Sequence, residues 1–241
     1  MKSVRLGQVW IPPVTAIVLA ALTACFIVAG LVAQFVPALQ PLLRGAILDA
    51  AAVRQGEVWR LFTYALLHDL SSPFHLIFNG MSIFFFGREL ETRWGTARTL
   101  VFLVASVVVG GLFVVVGDAL GIGHGAAVGA SSYALALWVA WGLTFRDREF
   151  RMYFAIPMKG IHAVWMALFF WLLDAVSTSA VSAAAHLGGI VTAVVLVRGV
   201  WRPNAWKAGL ATFLERVGLK KKQRLYVVPG PKAGPGGKWV N

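Results

Sequence analysis

Residues 121–138 read GIGHGAAVGASSYALALW, a glycine-rich run that passes directly into an apolar helical stretch. Two adjacent serines, Ser131 and Ser132, stand close to the start of that helix. A hydroxyl there lies beside backbone N–H groups that have no helical partner and beside the positive end of the helix dipole. Such a place suits the oxyanion formed when a serine attacks a carbonyl. Serines are also common where transmembrane helices pack closely, so the pair acquires meaning only from polar partners elsewhere.

The surrounding chain reads as one integral membrane domain. Of its 241 residues 59% are hydrophobic and only 13% charged, and the mean hydropathy is +0.74, more apolar than a soluble domain of this size requires. Working outward from the serine stretch, the fourth span is expected over about 127–145 and the third, rich in valine and glycine, over 101–116. Residues 74–87 (FHLIFNGMSIFFFG) make a short second span, closed by Arg88, Glu89, Glu91 and Arg93. The first span falls at about 14–36, and the fifth and sixth at about 160–176 and 182–200; Arg146 to Arg151 read as a charged turn. Leu22-Thr23-Ala24-Cys25 is similar to a bacterial lipoprotein cleavage box, but the apolar run continues well past the cysteine, which favours a retained span. With Cys25 as the lone cysteine, no disulfide framework or thiolate metal site is expected.

The net charge of +12 separates by position. With both termini placed on the cytoplasmic side, 19 lysines and arginines fall on that side and 3 on the other, as the positive-inside rule expects. The charge is therefore read as topology, without a nucleic-acid partner. Residues 1–203 are read as the membrane domain, with a structured interfacial first loop at about 39–73. Residues 204–241 are read as a basic cytoplasmic tail in which Lys220-Lys221-Lys222-Gln223-Arg224 is expected to touch anionic lipid. A short interfacial helix is expected over 204–218 and disorder over 229–241. A bacterial inner membrane is the expected location.

Polar groups inside such spans are costly in lipid and are functional candidates by default. His75 and Asn79 are four residues apart and share one face of the second span. His186 lies in the sixth span, followed by Leu187-Gly188-Gly189, with Gly189 and Ala193 on its face. Small residues there let backbones approach closely. A histidine helix pressed on a serine helix is what a Ser–His dyad requires. Each group also has a structural alternative, as a helix-bridging hydrogen-bond partner or a packing residue. His124 reads as a loop residue and His162 as a helix-start residue, and no acidic partner for His186 is evident in the spans.

Five motifs in order carry a resemblance: Trp59-Arg60 in a long first loop, His75-Leu76-Ile77-Phe78-Asn79, Gly87-Arg88-Glu89-Leu90-Glu91 followed by Trp94-Gly95, Gly129-Ala130-Ser131, and Ala185-His186-Leu187-Gly188-Gly189. Over roughly residues 14–200 the chain resembles the rhomboid intramembrane serine proteases. The resemblance implies an all-α fold, a polytopic bundle of six transmembrane helices. Ser131 would be its nucleophile and His186 the general base, with His75, Asn79 and the Ser131 N–H stabilising the oxyanion. Trp59, Arg60, Glu91, Gly129 and Gly189 would be structural residues. Implied substrates are single-pass transmembrane proteins cut in or near their membrane segment, with no cofactor or metal. A catalytically inactive relative that binds transmembrane clients is the alternative. The chain departs from the family pattern in having Ser132 where glycine usually follows the nucleophile, and Leu135 where an aromatic often packs on the histidine. His68 and His75 are also more widely spaced than is usual.

Overall fold

The computed structural model describes residues 4–6, 9–152, 156–177 and 180–199. The described residues up to Arg198 form one compact unit; the expectations for residues 204–241 lie outside the described residues. The chain begins with a short antiparallel hairpin, β1 (Val4–Leu6) and β2 (Val9–Ile11), and turns into α1 (Pro13–Phe35). Proline suits the first helical turn because its missing N–H has no partner there in any case. The remaining open donors of that turn are met from a distant helix. Val14 N–H and Thr15 N–H donate to the two carboxylate oxygens of Glu91, each at 2.8 Å, and the Thr15 hydroxyl adds a third bond at 2.8 Å.

The first loop is folded throughout. It contains α2 (Gln40–Ala46), the two-residue strand β3 (Leu48–Asp49), α3 (Ala50–Arg54) and α4 (Arg60–Thr63), followed by a 3-10 turn at Tyr64–Leu66. Asp49 caps α3 by accepting from Ala52 N–H at 2.8 Å. Arg60 holds the loop together, donating to the carbonyls of Arg44 (2.7 Å) and Ile47 (2.6 Å) and pairing with Glu57. The Trp59 indole donates to Gly45 O at 3.0 Å with its ring half exposed, as an interfacial aromatic would be.

The second apolar stretch makes a longer column than its sequence suggested. Helix α5 (Pro73–Ser82) continues through a π-helical segment, Ile83–Gly87, into α6 (Arg88–Trp94), so the charged residues extend the helix instead of closing it. Gly95, at φ 82°, then breaks the direction and α7 (Thr96–Ala119) follows. Strand β4 (Ala126–Ala127) pairs antiparallel with β3, Leu48 opposite Ala127, and ties the first loop to the glycine-rich turn. Helix α8 (Ser131–Thr144) starts four residues later than the hydropathy suggested, because residues 127–130 are spent on this strand and the turn after it. The charged turn is partly a hairpin, β5 (Glu149–Met152) with β6 (Ile156–Lys159), which leads into α9 (Gly160–Ser177) and α10 (Ala180–Arg198).

Among the described residues the result is an all-α membrane bundle of six helical columns with short hairpins. Among the described residues, α1, α7 and α10 are each long and apolar enough to cross a bilayer alone. Helix α8 is the innermost element: Ala136, Leu137, Val139 and Ala140 have no exposed surface, and a helix apolar on every side belongs in the interior. Glycines permit this density. A Cβ on Gly188 of α10 would lie 2.8 Å from Gly110 Cα of α7, and one on Gly189 would lie 2.0 Å from Ser132 O of α8. Large apolar side chains such as Phe35, Phe74, Trp165 and Val176 point outward instead, as a lipid-facing surface requires.

Candidate active site

The site grows from the turn that precedes α8. Gly129 has φ 111°, a conformation that L side chains rarely adopt, and its N–H donates to Tyr64 O at 2.9 Å. A Cβ at this position would stand 2.5 Å from His75 Cε1 and 3.0 Å from His75 Nε2. The glycine thus allows the His75 imidazole to lie directly against the backbone of the serine turn. Ser131 is the first residue of α8, and the helix receives no side-chain cap at this end.

The two serines have different surroundings. Ser132 is fully buried, and its Oγ lies 3.1 Å from the Tyr64 hydroxyl. The Tyr64 hydroxyl itself donates to Val107 O at 2.9 Å, which uses its one proton, so Ser132 is the donor between them. Burial pushes the Tyr64 phenol up to about 12, with the Ser132 bond opposing, so it stays a neutral partner. The Ser132 side chain occupies the gap left by Gly110, whose Cβ would meet Ser132 Cβ at 2.8 Å. This hydroxymethyl is directed into the contact between α7 and α8. Ser131, by contrast, is only part-buried.

His75 and Asn79 lie in α5, as their spacing implied, and they bring in His68 from the first loop. The Asn79 side chain is buried, and its Nδ2 lies 3.1 Å from His68 Nε2. The His68 ring is tilted 59° against that of His75, with centroids 5.2 Å apart. Burial first, and then the neighbouring His75, lower the His68 pKa to about 4, so at neutral pH His68 is uncharged. An uncharged His68 accepts the Asn79 amide proton on Nε2 and leaves the second amide N–H of Asn79 for another acceptor. Sequence reasoning noted only the wide spacing of His68 and His75; the buried pairing depends on the path of residues 67–72 and has no local signal.

His186 sits part-buried on α10, and its helix meets the serine helix through Gly189 and the Ser132 carbonyl. His75 is within electrostatic reach of His186. One expectation needs correcting. An acidic partner for the histidine does exist: Asp174 Oδ2 of α9 is 3.1 Å from His186 Nδ1. Eleven residues separate the two in sequence, and only the antiparallel return of α10 along α9 joins them.

The remaining groups have structural settings. Glu91 caps α1, Trp59 and Arg60 hold the first loop, and Gly189 lets α8 and α10 touch. His124 is an exposed loop residue that pairs with Asp118 at 2.7 Å, and His162 accepts the Lys159 N–H at 3.0 Å where α9 begins. Tyr133 is buried and packs toward Phe102, away from the serine turn. Among the described residues, no three His, Cys, Asp or Glu side chains gather as a metal site.

Comparison with known proteins agrees with this architecture. The sequence matches the Rhomboid domain family across residues 55–203, more than half of the chain. It is also similar to a Bacillus subtilis (strain 168) protein named "Putative rhomboid protease YdcA", at 42% identity over 78 residues. That match covers 32% of this chain and 38% of the relative, so the chain spans well under half the length of the protein it resembles there. The helical membrane bundle and the family match over most of its columns together establish that this chain belongs to the rhomboid family.

Proposed function

We propose that the protein is an intramembrane serine endopeptidase that cleaves single-pass transmembrane proteins in or near their membrane segment, with Ser131 as nucleophile and His186 as general base. The observation that carries this reading is the division of labour between the two serines. The Ser132 hydroxyl donates its hydrogen bond to Tyr64 inside the core, whereas Ser131 stands at an uncapped helix N-terminus. His75 lies against the same turn, and the histidine helix is in direct contact with the serine helix.

His186 accepts the Ser131 proton as the oxygen attacks the substrate carbonyl. The tetrahedral oxyanion is held by the Ser131 N–H, His75 and the free amide N–H of Asn79, and collapses to an acyl-enzyme. The leaving amine takes the proton from His186, which then activates a water to release the second product. Neutral His68 keeps Asn79 in place without adding charge. Helix α8 has 14 residues, about 21 Å at roughly 1.5 Å per residue, against a hydrocarbon core of about 30 Å. A helix this short supports a nucleophile that lies below the membrane surface, reached by water from one side. The charge asymmetry supports cytoplasmic termini and a bacterial inner membrane, with the catalytic turn toward the outer face.

The test is cleavage of a fluorogenic transmembrane peptide panel by purified protein in detergent. Activity that disappears with Ser131→Ala and His186→Ala and survives Ser132→Ala is the expected result. Loss only with Ser132→Ala would move the nucleophile by one residue, and peptide binding without cleavage by the well-folded unmodified chain would make this a client-binding relative.

A further inference from the structure

We infer that Asp174 is a positioning residue for His186, so that the site operates as a Ser131–His186–Asp174 triad. The inference rests on the protease reading above and deepens it. Asp174 Oδ2 approaches His186 Nδ1 to 3.1 Å, and the two side chains are 18% and 14% exposed. His186 Nδ1 is buried and makes no aligned hydrogen bond, so the ion pair with Asp174 at 3.1 Å is the contact the structure gives this nitrogen.

The setting of the acid strengthens the point. Helix α9, GIHAVWMALFFWLLDAVS, contains one acidic residue in an otherwise apolar span, where an ionisable group is unfavourable unless it has a partner. The helices are fastened beside the pair, since Trp171 Nε1 donates to Ala183 O at 3.0 Å, three residues before each member. Among the described residues, the charges on the elements packed against the pair have other partners. Helix α8 carries no ionised side chain, Asp118 of α7 is held by Arg54 and His124, and Arg98 of α7 lies over the Trp94 ring. His75 of α5 is the remaining titratable neighbour.

A carboxylate at Nδ1 keeps the proton on that nitrogen. It thereby presents the bare Nε2 to the serine and stabilises the imidazolium that forms when Ser131 is deprotonated. Asparagine at the same place can offer its amide N–H to Nδ1 and move the proton to Nε2, where it disables the base. In a fully buried triad that exchange costs about 10⁴-fold in kcat; for this part-exposed pair about 10- to 100-fold is expected.

The experiment uses the full chain in detergent and compares Asp174→Asn, Asp174→Glu and Asp174→Ala. The readouts are peptide kinetics, melting temperature and nitrogen-15 histidine spectra assigned by His186→Ala. Support consists of a kcat loss for Asp174→Asn with KM within about twofold, partial recovery in Asp174→Glu, and transfer of the His186 proton from Nδ1 to Nε2 without a matching fall in melting temperature. Unchanged kcat and spectra in Asp174→Asn and Asp174→Ala, with activity still lost in Ser131→Ala, overturn the triad and leave the dyad standing. Activity loss that tracks melting temperature across all three variants overturns it in favour of a helix-packing role. If the unmodified chain does not cleave, the protease reading and the catalytic role of Asp174 fail together. An unchanged His186 spectrum in Asp174→Asn overturns the positioning contact as well, whether or not the chain cleaves.

Discussion

Removing the Glu91 carboxylate should loosen the bundle at the start of α1. Glu91 is 3% exposed and accepts three hydrogen bonds at 2.8 Å, from Val14 N–H, Thr15 N–H and the Thr15 hydroxyl. Val14 and Thr15 are themselves 1% exposed, so water cannot readily replace the lost acceptor. Each buried donor left unpaired costs about 1–3 kcal/mol, and because the three share one acceptor their sum is not additive; about 3–5 kcal/mol is expected for Glu91→Ala. For a chain of this size roughly 2–4 °C accompanies each kcal/mol, so the melting temperature should fall by about 10 °C. Glu91→Gln, which keeps one oxygen acceptor but turns a donor toward the others, should lose roughly half as much. The assay is thermal unfolding of the purified protein in a fixed detergent, followed by circular dichroism. A fall of less than about 3 °C in Glu91→Ala would mean that the donors find other partners and that this cap does not hold α1 to α6.

Two further outcomes can be measured on the same preparation. Gly129→Ala should reduce cleavage about 100-fold, because the new Cβ must displace His75 from 2.5 Å and misplacement of about 1 Å in a catalytic site costs that much. Steady-state kinetics on the peptide checks it, and activity within a few-fold of the unmodified chain would show that His75 is not held where it acts. Stability should also fall as the pH drops from about 6.5 through 4. With its folded pKa lowered to about 4, His68 binds a proton more readily when unfolded, so the stabilisation present above its ordinary pKa of 6.5 is lost across that window. His68→Gln, which keeps a polar partner for Asn79 but does not titrate, should flatten this part of the profile in a series of thermal melts.

Much of the fold was legible because a bilayer imposes long apolar runs and pushes positive charge to one side, constraints written into local composition. The columns α1, α7, α9 and α10 follow hydropathy closely. Boundaries failed where backbone pairing competes with hydropathy. Residues 126–127 join the β3–β4 pair although they are apolar, and Arg88 to Trp94 continue a helix although they are charged, because Glu91 and Glu89 find partners in α1 and α8. Candidate site residues were visible as polar side chains in apolar spans, since burial in lipid makes such residues rare.

By itself the sequence determined that this is a helical membrane protein and which few polar residues are candidates for chemistry within it. Tertiary structure decided how those residues are arranged. Adjacent residues on a helix start point about 100° apart, so which serine enters the core depends on what packs there. Tyr64 and Gly110 draw in Ser132 and leave Ser131 at the helix end. In the same way, only the packing of α9 on α10 brings Asp174 to His186, because a contact between helices depends on their mutual rotation, which no single helix encodes.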